Sequence, residues 1–269
     1  MRHQSQTGAV AYTKKLLSFL LLIISNSLLA QKNTAIQNHG WYIYTGNHRL
    51  NKKISLHTEY QWRRSEVISV WQQSLMRIGL DYYFTDDAFL TGGYGNIITY
   101  PYGKQPINHT FGEHRIWEQF VTKQRVGRFY LHHRYRLEQR IMQNFIKNGI
   151  GEYVADGFTL RNRARYRFMV TIPISQKIIS KNTLFLGIYD EIFINFGKNI
   201  GANLFDQNRI SITLGWQFTP EFNVQLGYLN QYIQKVSAFD MENNHTLHLW
   251  LTYNIDFRKL FAPKSDDQP

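Results

Sequence analysis

Arginine and glutamate recur at alternate positions in several segments of the sequence. Residues two apart lie on the same face of a β-strand, so each series would place its charges together. Such groups can neutralise one another as buried ion pairs, or they can leave a positive field that attracts anions. We predict one shared charge network, whose members are Glu113, Arg115, Arg134, Arg136, Glu138, Arg140, Arg161, Arg163, Arg165, Arg167, Glu191 and Arg209.

Serine and histidine offer a catalytic alternative. A lipid hydrolase needs a serine, a histidine and an acidic or amide residue, and Ser74, Ser211, His132 and Glu138 supply these residue types. The chain has no Gly-x-Ser-x-Gly motif, and strand placement alone does not bring a serine to a histidine. We therefore predict no catalytic residues, and the hydrolase stays an open alternative.

The sequence gives no pattern for a metal ion or a cofactor. His132 and His133 are adjacent, so they would point to opposite faces of a strand, and the chain contains no cysteine. The run Gly92-Gly93-Tyr94-Gly95 lacks the phosphate-binding lysine of a nucleotide loop. We expect these glycines to face large aromatic side chains within a strand.

Alternation with a period of two is the dominant pattern from Lys53 onward, and it predicts β-strands. In the segment 53–64, for example, Ile54, Leu56 and Thr58 oppose Ser55 and His57. Ten strands are predicted, at about 53–64, 73–84, 88–98, 110–122, 128–140, 159–172, 183–196, 206–218, 221–233 and 244–257. The segment 41–49 also resembles a strand, and adding it alone would give eleven. Because bacterial barrels have even strand numbers, this segment would either lie outside the barrel or be accompanied by a twelfth strand.

The faces of these strands favour a membrane barrel over a soluble β-sandwich, which is the other fold that alternation allows. Their apolar faces are nearly free of charge, their polar faces carry clustered arginines, and aromatic residues make up 15% of the chain. Tight turns at Asp86-Asp87, 125–127 and Thr219-Pro220 alternate with long polar loops at 97–109, 141–157, 197–205 and 233–243. We predict an all-β, antiparallel up-and-down transmembrane β-barrel of about 10 to 12 strands, with both termini in the periplasm.

The N-terminus predicts export. Lys14 and Lys15 precede an apolar run at 16–30, which is short for a membrane-spanning helix and typical of a signal peptide cleaved near Ala30. We divide the chain into a signal peptide (1–30), an N-terminal segment that could add a strand (31–52), the barrel (53–257) and a polar tail (258–269). The net charge of +12 suits an anionic lipid surface or an anionic solute, whereas export disfavours nucleic acid.

Several motifs in this order resemble one known family. They are Glu113-His114-Arg115-Ile116-Trp117-Glu118-Gln119, the run 133–140, the run 163–167, Asp206-Gln207-Asn208-Arg209 and Gly227-Tyr228-Leu229-Asn230-Gln231. In sequence and spacing they resemble the domain of unknown function 2490 (DUF2490), found largely in Bacteroidetes-type bacteria, over about residues 40–257. The resemblance implies an outer-membrane barrel and brings no established activity with it.

These observations lead to one expected function and two alternatives. We expect an outer-membrane barrel of structural or interaction role, with its lumen lined by the Arg/Glu network. A narrow, porin-like anion-selective channel and an outer-membrane lipid hydrolase are the alternatives. The expected partners are outer-membrane lipid, the barrel-assembly machinery and a small anionic solute, with no nucleic acid and no cofactor.

Overall fold

The strands of the protein close into a single barrel. The computed structural model describes residues 33–103, 108–237 and 239–260, so the signal peptide and residues 261–269 of the tail lie outside the described residues. Eleven strands are present in this part of the chain: β1 (Asn33–Arg49), β2 (Ile54–Ser65), β3 (Val70–Thr85), β4 (Ala88–Thr99), β5 (Phe111–Val126), β6 (Phe129–Lys147), β7 (Tyr153–Pro173), β8 (Thr183–Phe196), β9 (Phe205–Gln217), β10 (Phe222–Gln234) and β11 (Asp240–Tyr253). A short helix, α1 (Phe257–Leu260), follows. The predicted all-β barrel of about 10 to 12 strands is confirmed.

The barrel closes between β1 and β11, and the expected even strand number is wrong. Consecutive strands are antiparallel, so with eleven strands the first and the last run in the same direction. Arg49 and Asp256 form a parallel bridge, and the backbone N–H of Arg49 donates to the carbonyl of Ile255 at 2.8 Å. β1 therefore begins at the opposite end of the barrel from the end of β11, so the described residues enter and leave the barrel at different ends, whereas the ten-strand prediction has them enter and leave at the same end.

Alternation along each strand separates an interior face from an exterior face. In β5 the side chains of Glu113, Arg115 and Trp117 are buried, whereas those of His114 and Ile116 between them are exposed. The same pattern continues in the neighbouring strands, because the register pairs inward-facing residues with inward-facing residues. The polar faces predicted from the sequence thus line the lumen.

The exterior of the barrel is apolar and carries aromatic side chains near both ends. Leu186, Leu214, Leu226 and Leu249 stand in one continuous row across β8 to β11. Near one end, the ring of Trp62 lies 5.1 Å from that of Tyr42 and 6.1 Å from that of Trp71. Near the other end, the exposed rings include Tyr82, Phe84, Phe120, Phe218 and Tyr253.

Connections differ between the two ends, which we call the turn end and the loop end. The turn end has the connections 50–53, 86–87, 127–128, 174–182 and 218–221, and the loop end has 66–69, 100–110, 148–152, 197–204 and 235–239. The prediction of a loop at 141–157 is wrong for most of these residues, because β6 and β7 continue as paired strands up to Lys147 and Tyr153. This tall hairpin rises past its neighbours, and Ile150 at its tip is 80% exposed. No helix of the described residues is long and apolar enough to cross a membrane.

Candidate functional site: an arginine-lined lumen

The structure places all twelve residues of the predicted charge network on the inward faces of β5 to β9. Cross-strand register brings them together: Arg115 stands opposite Arg140, Arg136 opposite Arg165, and Glu138 opposite Arg163. Arg161 lies at the loop end of the group and stays partly exposed. The rest form one continuous patch of buried or nearly buried charge.

Glu138 is the centre of this patch. Its side chain is fully buried, and its Oε2 accepts hydrogen bonds from Nε and Nη2 of Arg163 at 2.9 and 2.6 Å. Its Oε1 accepts one from Nη1 of Arg165 at 2.6 Å. Arg115 at 3.4 Å and Arg77 at 3.6 Å complete a nearly enclosed shell of guanidinium groups. A carboxylate surrounded in this way is held in its ionised form by opposite charge.

Two further glutamates extend the pairing across neighbouring strands. Glu113 receives hydrogen bonds from Arg115 at 2.5 Å and from Arg140 at 2.8 Å, which joins β5 to β6. Glu191 lies 2.5 Å from Arg134 and 2.7 Å from Arg165, which joins β8 to β6 and β7. The ion pairs therefore tie four consecutive strands together.

Several members of the network were not among the predicted site residues. Asp206 binds Nη1 of Arg163 at 2.6 Å. It turns inward because the register of β8 and β9 shifts at Phe193, so that Asp206 and Gln207 are both buried. Across the lumen, Glu59 of β2 accepts a hydrogen bond from Arg77 at 2.6 Å. The alternation of β2 had placed Glu59 on the polar face, and the shift that turns Asp206 inward has no clear sequence signal.

Aromatic side chains share the lumen with the charges, which the sequence did not predict. Trp117 and Phe193 are fully buried on inward faces. The guanidinium carbon of Arg136 lies 4.6 Å from the ring centre of Trp117, and that of Arg165 lies 4.3 Å from the ring centre of Phe193. Stacking of this kind is favourable for arginine when both groups are withdrawn from water. Rings and ion pairs together fill much of the interior.

Cavities remain between the described side chains of the lumen, and two of them share arginines. The first, which we call the chamber, has a volume of about 160 Å³. Of the described residues that line it, ten are arginines and two are glutamates: Arg63, Arg77, Arg115, Arg134, Arg136, Arg140, Arg163, Arg165, Arg167 and Arg209, with Glu59 and Glu191. The second cavity, of about 380 Å³, lies toward the turn end and shares Arg134, Arg136 and Arg167 with the chamber.

The candidate hydrolase residues do not assemble. Ser74 faces outward and its hydroxyl donates to Tyr60 at 3.4 Å, while Glu138 inside is engaged by arginines. Ser211 does contact a histidine, with its Oγ 3.3 Å from Nδ1 of His248, but both residues are buried in the lumen and away from the outer surface. Among the described residues, no group of three His, Asp or Glu side chains could hold a metal ion.

A family model for a protein of unknown function, DUF2490, matches residues 38–243. The chain belongs to the DUF2490 family. This match takes in the nine strands β2 to β10 in full, most of β1 and the start of β11, so it covers the strands that carry the charged lumen. A search of curated proteins and a search of solved structures each returned no match.

Proposed function

We propose that this DUF2490 protein is an outer-membrane β-barrel of structural or interaction role. The apolar exterior supports a lipid environment, since leucines and isoleucines are exposed around the barrel with aromatic rings near each end. In water, so large an exposed apolar surface would favour aggregation. Outer-membrane lipid is then the immediate partner, and the barrel-assembly machinery is the expected route of insertion.

The observation that carries a structural role for the lumen is the burial of Glu138 among guanidinium groups. Arg163 and Arg165 both contact this carboxylate at 2.6 Å, and each also binds a second carboxylate, Asp206 and Glu191 respectively. Charges that satisfy one another in this way block the cross-section with side chains. A barrel of about ten strands encloses little space to begin with, whereas open porins need about sixteen.

The loop end offers the surface for an interaction role. The tall hairpin of β6 and β7 presents Ile146 and Ile150 beyond the level of the neighbouring strands, and Phe158 is exposed lower on the same hairpin. Exposed apolar side chains on a projecting hairpin suit contact with another macromolecule.

Membrane fractionation and planar-bilayer recording test this proposal together. We expect the mature protein in the outer-membrane fraction, with a heat-dependent shift in gel mobility typical of a stable barrel. We also expect no steady conductance from the purified protein, because the paired charges close the lumen. Recovery in a water-soluble fraction would contradict the membrane location. A persistent anion-selective current would favour the alternative of a narrow anion channel.

A further inference from the structure

Three arginines of the chamber form no ion pair with any described carboxylate. They are Arg63 on β2, Arg167 on β7 and Arg209 on β9, and each is less than a tenth exposed. The other arginines that line the chamber lie within ion-pair distance of Glu59, Glu113, Glu138 or Glu191. The chamber therefore holds three buried positive charges that no carboxylate of the described residues pairs directly.

Neutral groups satisfy these three arginines only in part. Arg63 donates to the side-chain oxygens of Gln61 at 2.8 Å and Gln73 at 2.7 Å, and Arg209 donates to that of Gln207 at 2.9 Å. An amide oxygen accepts a hydrogen bond but carries no charge. Nε of Arg167 is buried with no hydrogen-bond partner among the described residues.

One indole holds two of these guanidinium groups in the same part of the lumen. The guanidinium carbon of Arg63 lies 3.9 Å from the ring centre of Trp41, and that of Arg209 lies 4.8 Å from it. Stacking on the ring fixes the planes of the guanidinium groups, and it leaves within those planes the N–H groups that do not donate to glutamine. The two positive guanidinium groups on one ring repel each other, and an anion close to both would offset that repulsion.

The chamber also has room and a neutral donor for such an anion. A volume of about 160 Å³ corresponds to roughly five water molecules at their share of liquid volume. His248 lines the chamber, and its Nε2 has no hydrogen-bond partner among the described residues. If the Ser211 hydroxyl donates to Nδ1, the proton of the neutral ring is on Nε2, where it can be donated to a ligand.

The two sides of the chamber differ in access. At the loop side, Tyr102 from the connection between β4 and β5 lines the chamber, and its hydroxyl donates to Glu242 at 3.5 Å. Burial, together with the nearby Glu242 carboxylate, raises the pKa of the Tyr102 hydroxyl, so the tyrosine stays neutral. At the turn side, the larger cavity is lined by further basic residues, among them Arg49 and Lys123. An approaching anion meets positive charge from the turn end inward.

We propose that the chamber is a binding site for one small oxyanion of phosphate type, held by Arg63, Arg167 and Arg209. Guanidinium groups recognise phosphate oxygens through pairs of parallel N–H donors, and three groups from three different strands surround a tetrahedral ligand better than a planar one. This inference rests on the closed lumen of the proposed barrel. It does not depend on the membrane location, so its test can be made in detergent.

The test is calorimetric titration of the purified full-length barrel with inorganic phosphate, at constant ionic strength set with sodium chloride. We expect saturable binding at one site. Arg63→Gln and Arg209→Gln should each weaken the phosphate affinity roughly tenfold or more, the effect of losing charge-assisted hydrogen bonds. Arg125→Gln is the matched control, because it removes the same charge from an exposed position at the turn end. Absence of saturable binding, or an equal loss in the control variant, would overturn the proposal.

Two further measurements keep the test independent of folding defects. Arg63→Lys retains the charge, but an ammonium group cannot present two parallel donors, so its phosphate affinity should also fall. Unchanged affinity in this variant would overturn the assignment of Arg63. Thermal unfolding should show that phosphate raises the melting temperature of the wild type more than that of Arg209→Gln. Titration with glycerol 3-phosphate then distinguishes a site for free phosphate from a site for phosphate monoesters. Binding of the ester as well as of inorganic phosphate would identify a phosphate monoester site.

Discussion

Replacing Glu138 by glutamine removes the charge at the centre of the lumen while keeping the shape of the side chain. The glutamine oxygen could still accept from one arginine. Its amide nitrogen would face the donors of the other, so at least one hydrogen bond at 2.6 Å would become a contact between two donors. Loss of one partner from a buried ion pair costs about 3 to 5 kcal/mol.

The structure favours the lower part of that range. Arg163 keeps its contact with Asp206 at 2.6 Å, and Arg165 keeps its contact with Glu191 at 2.7 Å. Both guanidinium groups would thus retain a counter-charge. Arg115 also keeps Glu113 at 2.5 Å. We therefore expect Glu138→Gln to lower the free energy of unfolding by about 3 kcal/mol.

Urea unfolding in lipid vesicles measures this loss, and Glu118→Gln provides a matched control. Glu118 lies on the adjacent strand, opposite Leu137, but its side chain faces outward and its carboxylate accepts a hydrogen bond from Gln139. Removing the charge of Glu118 should leave the free energy of unfolding unchanged or increase it. Single-channel recording of Glu138→Gln and Arg165→Gln completes the experiment. Unaltered stability together with a changed anion-to-cation permeability ratio would refute the structural role of these charges.

Three other predictions follow from the exterior, the strand glycines and the N-terminus. Leu249→Arg or Leu186→Arg should destabilise the barrel in lipid by about 2 to 4 kcal/mol, and Leu249→Ala is the control. Tolerance of arginine at these positions in reconstituted bilayers would contradict the inference that both side chains face lipid. Gly93→Ala should cost about 1 to 3 kcal/mol in urea unfolding, because its Cβ would lie 2.7 Å from the Trp117 ring, whereas Gly92→Ala has open space and should be neutral. N-terminal sequencing of the outer-membrane fraction should find a start near Gln31, and an uncleaved protein in the inner membrane would disprove the signal peptide.

Ten strands could be predicted because each has one apolar face and one polar face. β1 does not, since its inward side chains include Trp41 and Ile43 while Tyr42 and Tyr44 lie on the other face. With aromatic and aliphatic residues on both faces, the period of two is weak. In addition, bacterial barrels usually have an even number of strands, so an eleventh strand at β1 was not expected.

The charged faces of the lumen were also visible in the sequence, but the partners of each charge were not. The alternation of polar and apolar residues shows which side of a strand a residue occupies. Which charged side chains meet depends also on the register of the strands and the curvature of the sheet. Asp206 shows the limit, because a one-residue shift beside Phe193 decides that it meets Arg163. Tyr102 reaches the chamber from a loop, where no periodicity exists to place it.

The closure of the barrel between β1 and β11 has a consequence for the order of folding. Thr45 and Trp250 meet there across a separation of 205 residues, and joining the ends of a flexible chain that long carries an entropy cost of about 5 kcal/mol. All other strand pairs join neighbours in sequence, so they can form early, while the seam must wait for the last strand. Until then, β1 has a free edge of unpaired N–H and C=O groups, which attracts other chains. The same seam, made between parallel strands, is where the finished barrel should open first.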